Sequence, residues 1–457
     1  MSKQAEENGR LFGTSGIRGV VGSEISPELC RDVGRALGTS LSPDSSVCLA
    51  TDTRESREQL KGAVISGLLS TGTDVVDLGI LPTPALALLT RETDFASGIM
   101  LTASHNPPEY NGIKLFNKDA TGYSEDQERR IEQLYSQRRF REGKGILERR
   151  GDGRERYLSF LSRSLPPRGA NRDLKLVVDP GNGAASGFAS YVFAKLGLKV
   201  LPFNDEPDGS FPGRNPEPRE DTLTATVRFL RENDADLAVC FDGDADRVVF
   251  CDREGFLGFN EMVAFISRLA VREQGKKKVA TTVEAGKLLD LAIADLGAEV
   301  VRGKVGDVHV AYLARECDAA LGVEQVGVYI APWLGYYPDS LFAPLFLLSH
   351  LSNVGEIRSY FRSIPGLFFE KSKIPCPNEL KRTVMAQLTG KVPDFEPTQV
   401  NDIDGLRLEF SDAWMLIRPS GTEPAVRVIA ESTSRSQVDE LMKKGTGLVQ
   451  SLLEVTS

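Results

Sequence analysis

Residues 237–252 read LAVCFDGDADRVVFCD. Leu237–Phe241 is apolar at every position, the pattern of a strand covered on both faces in a parallel sheet. It runs straight into DGDADR (242–247), a loop of alternating carboxylates, and VVFCD reads as a returning strand. Upstream, LKLVV (174–178) leads into DPGNGAA, and LKVLPF (198–203) follows. The same order occurs twice more. Val47–Ala50, DVVDLGI (74–80) and SGIML (97–101) precede TASHNP and the closing run GIKLF, whereas KVATTV (278–283), AEVVRG (298–303) and AALGVEQVG (319–327) precede VYIA. Between the first strands, Leu60, Val64, Ile65, Leu68 and Leu69 fall on one helical face, with Ser56 and Gln59 predicting a capping box at its start.

Three strand–helix–strand–helix–strand units predict three similar mixed α/β domains in tandem. Ligands of such sheets sit at the carboxyl ends of the strands. TASHNP, DGDADR and EQVG each follow the third strand of a unit, so they are expected to converge on one central cleft. A charge-rich segment (138–156) and a stretch with five prolines (364–400) mark boundaries. Beyond them GLRLEF, DAWMLIRPSGT and AVRVIAES predict a small antiparallel sheet. A terminal helix follows, with Val438, Leu441, Met442, Leu448 and Leu452 inward. The expected division is 1–150, 151–254, 255–365 and a smaller α+β domain at 366–457.

The 457 residues carry 55 Lys and Arg against 64 Asp and Glu, a net charge of −9. That balance argues against nucleic-acid and membrane-surface partners. The start, MSKQAEENGR, lacks the pattern of a secretory or transit peptide, and no stretch has the length and apolarity of a span. Six scattered cysteines without a C-x-x-C pair read as small core residues of a reducing compartment, so a cytoplasmic protein is expected. With three histidines and scattered cysteines, a His/Cys zinc site is not expected.

Asp242, Asp244 and Asp246 repel one another unless a hard cation neutralises them, and Mg²⁺ suits oxygen ligands that leave room for phosphate. An EF-hand is excluded by Arg247 and Arg253 at its sixth and twelfth positions. Ser104 and His105 occupy the equivalent loop of the first unit. No G-x-S-x-G elbow exists, which disfavours a serine hydrolase, whereas a serine facing Mg²⁺ suits phosphoryl transfer. RPSGTEPAVR (418–427) gathers Arg418, Ser420, Gly421, Thr422 and Arg427, the donors of a phosphate clamp. FGTSGIRG (12–19) adds Ser15 and Arg18. GNGAASG (181–187) fails as a dinucleotide loop, because Ser186 replaces its last glycine.

Taken together and in order, FGTSGIRG, TASHNP, DGDADR and RPSGTEP resemble the α-D-phosphohexomutase family over essentially the whole chain. The pattern is nearest to its phosphoglucosamine mutase and phosphomannomutase/phosphoglucomutase branches. DTRES, PPEYNGIK, DPGNGA, GRNPEP and KVGD support it. The resemblance implies a phosphoserine at Ser104, with Mg²⁺ bridging it to Asp242, Asp244 and Asp246. It further implies a hexose bisphosphate that serves as intermediate and activator, and a clamp on the idle phosphate at Arg418, Ser420, Gly421, Thr422 and Arg427. Arg18 and Lys114 match residues near the reacting hydroxyl, and a lysine among other cations is expected to have a lowered pKa suited to a general base. His105, beside Ser104, is a further catalytic candidate, and Arg247 is expected to orient phosphate. The sugar loop, GVEQVGV (322–328), keeps Glu324, Gln325 and Gly327 for substrate, with Lys304 and His309 nearby. It departs from the family at Val326 and Val328, where a polar residue and a histidine often stand.

The expected reaction is glucosamine 6-phosphate to glucosamine 1-phosphate. The alternatives are phosphomannomutase/phosphoglucomutase activity, a sugar-phosphate binder with altered or lost turnover, and an aspartate phosphatase. The last is opposed by Asp246, which stands where D-x-D-x-[TV] needs Thr or Val. The expected partner is a small sugar phosphate, and the expected state a monomer or homodimer. Arg18, Lys114, Lys304, Arg247, Arg418 and Arg427, with the metal, are expected to make one cleft positive inside an acidic chain.

Overall fold

The computed structural model describes residues 10–13, 16–166, 169, 171–421 and 423–456. The apolar runs become strands. In the first unit β1 (Ile17–Val20), β2 (Ser46–Thr51), β3 (Asp74–Ile80), β4 (Ser97–Leu101), β5 (Tyr110–Asn117) and β6 (Leu147–Arg149) form a sheet of order β1-β5-β4-β2-β3-β6. In the second, β7 (Lys175–Asp179), β8 (Lys199–Pro202), β9 (Leu237–Phe241), β10 (Val248–Asp252) and β11 (Gly255–Leu257) are ordered β11-β10-β9-β7-β8. In the third, β12 (Lys278–Thr282), β13 (Glu299–Gly303), β14 (Leu321–Glu324) and β15 (Val328–Ile330) are ordered β13-β12-β14-β15.

One four-strand segment runs through all three sheets: the returning strand, then the third, first and second strands of the unit. The last three are parallel and the returning strand is antiparallel. Every residue of β4, β9 and β14 is buried, as strands with covered faces require. Their carboxyl ends carry the three loops, so the expected equivalence of TASHNP, DGDADR and EQVG holds in the topology.

The capping box expected at Ser56–Gln59 does not form. Ser56 already has helical backbone angles, and its hydroxyl accepts from Asn111 Nδ2 at 2.8 Å, tying the helix start to β5. A capping box forms instead at Ser124 and Gln127, ahead of helix Glu125–Gln137. The two boundary segments are also less bare than their composition suggested. The first contains β6, paired with β3, and the start of helix Gly153–Ser164. The second contains β16 (Phe368–Pro375), helix Asn378–Thr389 and β17 (Gln399–Asn401). Pro375 ends β16 and Pro377 immediately precedes helix Asn378–Thr389, places where the missing N–H is tolerated.

The fourth sheet adds β18 (Leu406–Glu409), β19 (Ala413–Pro419) and β20 (Ala425–Ser432) in the antiparallel order β16-β20-β19-β18-β17. One face packs Met415, Ile417, Val426 and Val428 beneath helices Asn378–Thr389 and Arg435–Thr456. The other face sets Trp414, Leu416 and Ile429 against Val283 of the third unit. Arg407, fully buried, stacks on Trp414 at 3.9 Å and donates to the carbonyls of Val283 and Ala285 at 2.7 and 2.9 Å. All six cysteines are free thiols, five of them buried. Among the described residues no helix is long and apolar enough to cross a membrane.

Candidate active site

Ser104 lies in the loop after β4 in a left-handed conformation, φ +52°. Such a backbone needs support from its surroundings. Its N–H donates to Thr102 Oγ1 at 2.8 Å, and Thr102 in turn donates to Asp52 Oδ2 at 2.6 Å. Arg54, wholly buried, pairs through Nε with the same carboxylate at 3.0 Å. Its other nitrogens donate to the carbonyls of Ser104, Asn106, Pro107 and Tyr110. The serine loop is thus wrapped around one guanidinium. The Ser104 hydroxyl donates across units to Asp242 Oδ2 at 2.6 Å.

The second unit repeats the device. Arg214 pairs with Asp179, at the end of the first strand, and donates to the carbonyl of Phe241 at 2.6 Å, just before the aspartate loop. Asp242, Asp244 and Asp246 are buried, with one oxygen from each inside 4.8 Å of the others. Gly243 is required here, because a Cβ would stand 2.4 Å from the Ser104 carbonyl. Asp244 Oδ2 accepts from Thr83 Oγ1 and from Lys114 Nζ, both at 2.6 Å, and Lys114 reaches Asp246 Oδ2 at 2.5 Å. Asp244 Oδ1 and Asp246 Oδ1 are buried without a hydrogen-bond partner. Such oxygens are costly unless a cation meets them, so the donor set fits a hard divalent ion.

Charge follows this crowding. Burial and the neighbouring carboxylates push Asp242 up. For Asp246 burial acts the same way, but Lys114 and Arg247 outweigh it and hold the group at about 2. The lowered lysine pKa expected at Lys114 is not found. Burial alone would lower it, yet Asp244 and Asp246 prevail and raise it, so Lys114 is a firmly held cation. His105 Nδ1 lies 3.4 Å from Ser104 Oγ. Burial, with Arg247, Arg18 and Lys114, lowers its pKa to about 2, so the imidazole is neutral and a poor proton acceptor. Arg18 donates to Asn106 Oδ1 at 3.4 Å.

The third loop joins the second directly. Gly327 O accepts from Val248 N at 2.9 Å, and a Cβ on Gly327 (φ +86°) would stand 2.4 Å from the Val248 carbonyl. Glu324 accepts from Gly306 N at 2.9 Å, and burial with Asp307 raises its pKa to about 7. Gln325 Nε2 donates to Thr281 Oγ1 at 3.3 Å, and Val326 is 37% exposed. Lys304 and His309 are not brought to this loop's cleft face. Both turn to Glu125 of the first unit, at 3.2 and 3.7 Å.

On the fourth sheet Arg418, Arg427 and Lys373 stand in register across β19, β20 and β16. Like charges opposite one another repel, so the row needs anions. Glu284 and Asp404 meet Arg418 at 3.3 and 3.0 Å, and Glu423 meets Arg427 at 3.4 Å and also Lys373. Ser420 Oγ is buried without a partner. Ser15 and Thr422 lie outside the described residues.

A cavity of about 1150 Å³ opens between the units, lined by Arg18, His105, Arg247, Glu324, Gln325, Val326, Arg418, Gly421 and Arg427. Ser104 lies next to His105, beneath this wall, with no exposed surface. The expectation of a positive cleft is corrected. Glu24, Glu220, Glu261, Glu284, Glu324 and Glu431 line it alongside Arg18, Arg247, Lys371, Arg418 and Arg427. Lys304 is absent from the lining, and Lys114 is spent on the aspartates.

A hydroxyl poised over paired carboxylates, across from a row of cations, belongs to proteins that move phosphate on small polar molecules. Residues 9–142, 155–255, 259–364 and 373–444 match, respectively, domains I, II and III (α/β/α) and the C-terminal domain of phosphoglucomutase/phosphomannomutase. The chain belongs to this family, the α-D-phosphohexomutases, and is an isomerase of that class. It is 39% identical over 452 residues to a probable phosphoglucosamine mutase of Pyrococcus horikoshii, covering 98% of this chain and 99% of the relative. The crystal structure of a phosphoglucomutase/phosphomannomutase family protein from Burkholderia thailandensis is 26% identical with TM-score 0.88, covering 99% and 98% of the two chains. The fold is also shared with the Aspergillus fumigatus N-acetylphosphoglucosamine mutase, solved with GlcNAc-6P and magnesium (16% identity, TM-score 0.58, 99% and 97% covered).

Proposed function

We propose that the chain interconverts glucosamine 6-phosphate and glucosamine 1-phosphate, working as four domains (1–150, 151–254, 255–365 and 366–457). The observation that carries this reading is a cleft holding both clamp cations and glutamates, because a 2-amino sugar phosphate is itself a zwitterion. The name of the Pyrococcus relative supports it. In this reading Ser104 Oγ carries a phosphoryl group and gives it to the free hydroxyl of the sugar monophosphate. The resulting bisphosphate returns its other phosphate to Ser104. Asp242, Asp244 and Asp246 would hold Mg²⁺, which when bound neutralises charge on the transferring group. Arg418, Ser420, Gly421, Thr422 and Arg427 clamp the idle phosphate, while Arg18 and Arg247 orient the reacting one and Lys114 keeps the carboxylates in place. Glu324, Gln325 and Gly327 shape the sugar side.

A panel of glucosamine, mannose and glucose 1-phosphates tests this, run with Mg²⁺ and a hexose bisphosphate activator. The expected outcome is the highest kcat/KM for the amino sugar, and no isomerisation of any member would sink the reading. Val326 favours a second reading, broad use of several hexose phosphates, because an alkyl side chain cannot discriminate hydroxyls by hydrogen bonding. Comparable kcat/KM across the panel is its signature. Calorimetry adds a metal test: Mg²⁺ should bind the wild-type chain and lose most of its affinity in Asp244→Asn.

A further inference from the structure

Arg54 holds the serine loop from behind by its backbone carbonyls, and Arg214 holds the Phe241 carbonyl from which the aspartate loop departs. The phosphate loop has a counterpart that no motif announced. Lys381, half-buried on helix Asn378–Thr389, donates through Nζ to the carbonyls of Ser420 and Glu423 at 2.7 and 2.6 Å. It therefore grips both ends of the turn that runs between Arg418 and Arg427. The far end is pinned again where Cys376 N donates to Pro424 O at 2.9 Å.

We infer that Lys381 is a positioning residue for phosphate binding. In a planar trans peptide the C=O of one residue and the N–H of the next point in opposite directions. Drawing the Ser420 carbonyl toward Lys381 turns the Gly421 N–H away from the helix, and Gly421 lines the cleft. Pro424 has no N–H, so the Glu423 carbonyl is anchored without wasting a donor. The ammonium also neutralises carbonyl oxygens that would otherwise turn their negative ends toward a bound dianion. The inference rests on reading 418–427 as the clamp.

The test compares Lys381→Met, Lys381→Arg and Arg418→Ala by steady-state kinetics on sugar phosphate, with melting curves for each. Lys381→Met should raise KM about tenfold, a little over 1 kcal/mol of lost binding, with kcat within about threefold. Lys381→Arg, which keeps a cation able to bridge two carbonyls, should recover most of that loss. An unchanged KM in Lys381→Met overturns the proposal. So does a Lys381→Arg chain that melts as wild type yet is as impaired as the Met variant, and this second arm decides if Lys381→Met does not fold. If Arg418→Ala also leaves KM unchanged, the clamp reading itself has failed. If Arg418→Ala raises KM and Lys381→Met does not, only the role of Lys381 is lost.

Discussion

Ser104 keeps its left-handed backbone because Arg54 and Asp52 over-determine the loop around it. That support is separate from the hydroxyl, so the chemistry and the fold can be cut apart. Ser104→Ala should lose turnover by at least about a thousandfold, take up no phosphate by intact mass, and melt close to wild type. Arg54→Lys should instead disturb both, because Arg54 holds the Ser104 carbonyl itself. With several carbonyls left unpaired in the interior, it should cost about 2–4 kcal/mol in urea unfolding and lower kcat through a misplaced serine. The aspartates were legible in the sequence because their motif repeats one chemical type within five residues, and the serine because its loop occupies the equivalent place in the first unit. Arg54, Arg214 and Lys381 were not, because a single cation carries no pattern. A signal existed for the arginines, which stand in DTRES and GRNPEP, short motifs anchored to an aspartate at the end of a first strand. Lys381 had none, since its partners are backbone atoms about 40 residues away.

Strands were easiest to read where both faces are covered. β9 is apolar throughout and β4 is so after Ser97, whereas β16 presents mostly exposed residues and was hidden among prolines. Its pairing with β20 comes from register and docking, which composition does not record. A second element-level feature links helix Gly153–Ser164 to the third unit. Asp339, buried, accepts from Tyr157 OH at 2.6 Å and from Phe342 N at 3.0 Å, while its other oxygen has no partner. Burial raises its pKa to about 6, and the two hydrogen bonds only partly oppose this. The folded chain therefore favours the protonated acid. Its stabilising contribution is complete below the ordinary value of 3.8 and is lost as the pH rises through about 6. Asp339→Asn should flatten the pH dependence of the melting temperature between pH 4 and 8, with the gain over wild type appearing at the upper end.

At the scale of the whole molecule, the fourth sheet is attached to the third unit through Arg407, Trp414 and the Glu431 carboxylate, which accepts from Lys287 N and Trp414 Nε1. Removing Arg407 strands two buried carbonyls and an aromatic face. Arg407→Ala should lower stability by about 2–4 kcal/mol and split calorimetric unfolding into two transitions, the earlier one from the fourth sheet. The mixed charge of the cleft also bears on how substrate arrives. With glutamates and arginines on the same walls, long-range attraction is weak, so kcat/KM should change less than about threefold between low and physiological salt.

The bond from Val248 N to the Gly327 carbonyl has a consequence for how this chain can diversify. It ties the loop proposed to face the sugar to the backbone of the loop that gathers the carboxylates, with a left-handed glycine pressed against Val248. An inserted or deleted residue between Glu324 and Val328 would break that tie and displace the aspartates with it. New sugar preferences are therefore open to this enzyme by exchange of side chains at Gln325 and Val326, and closed to it by change of loop length.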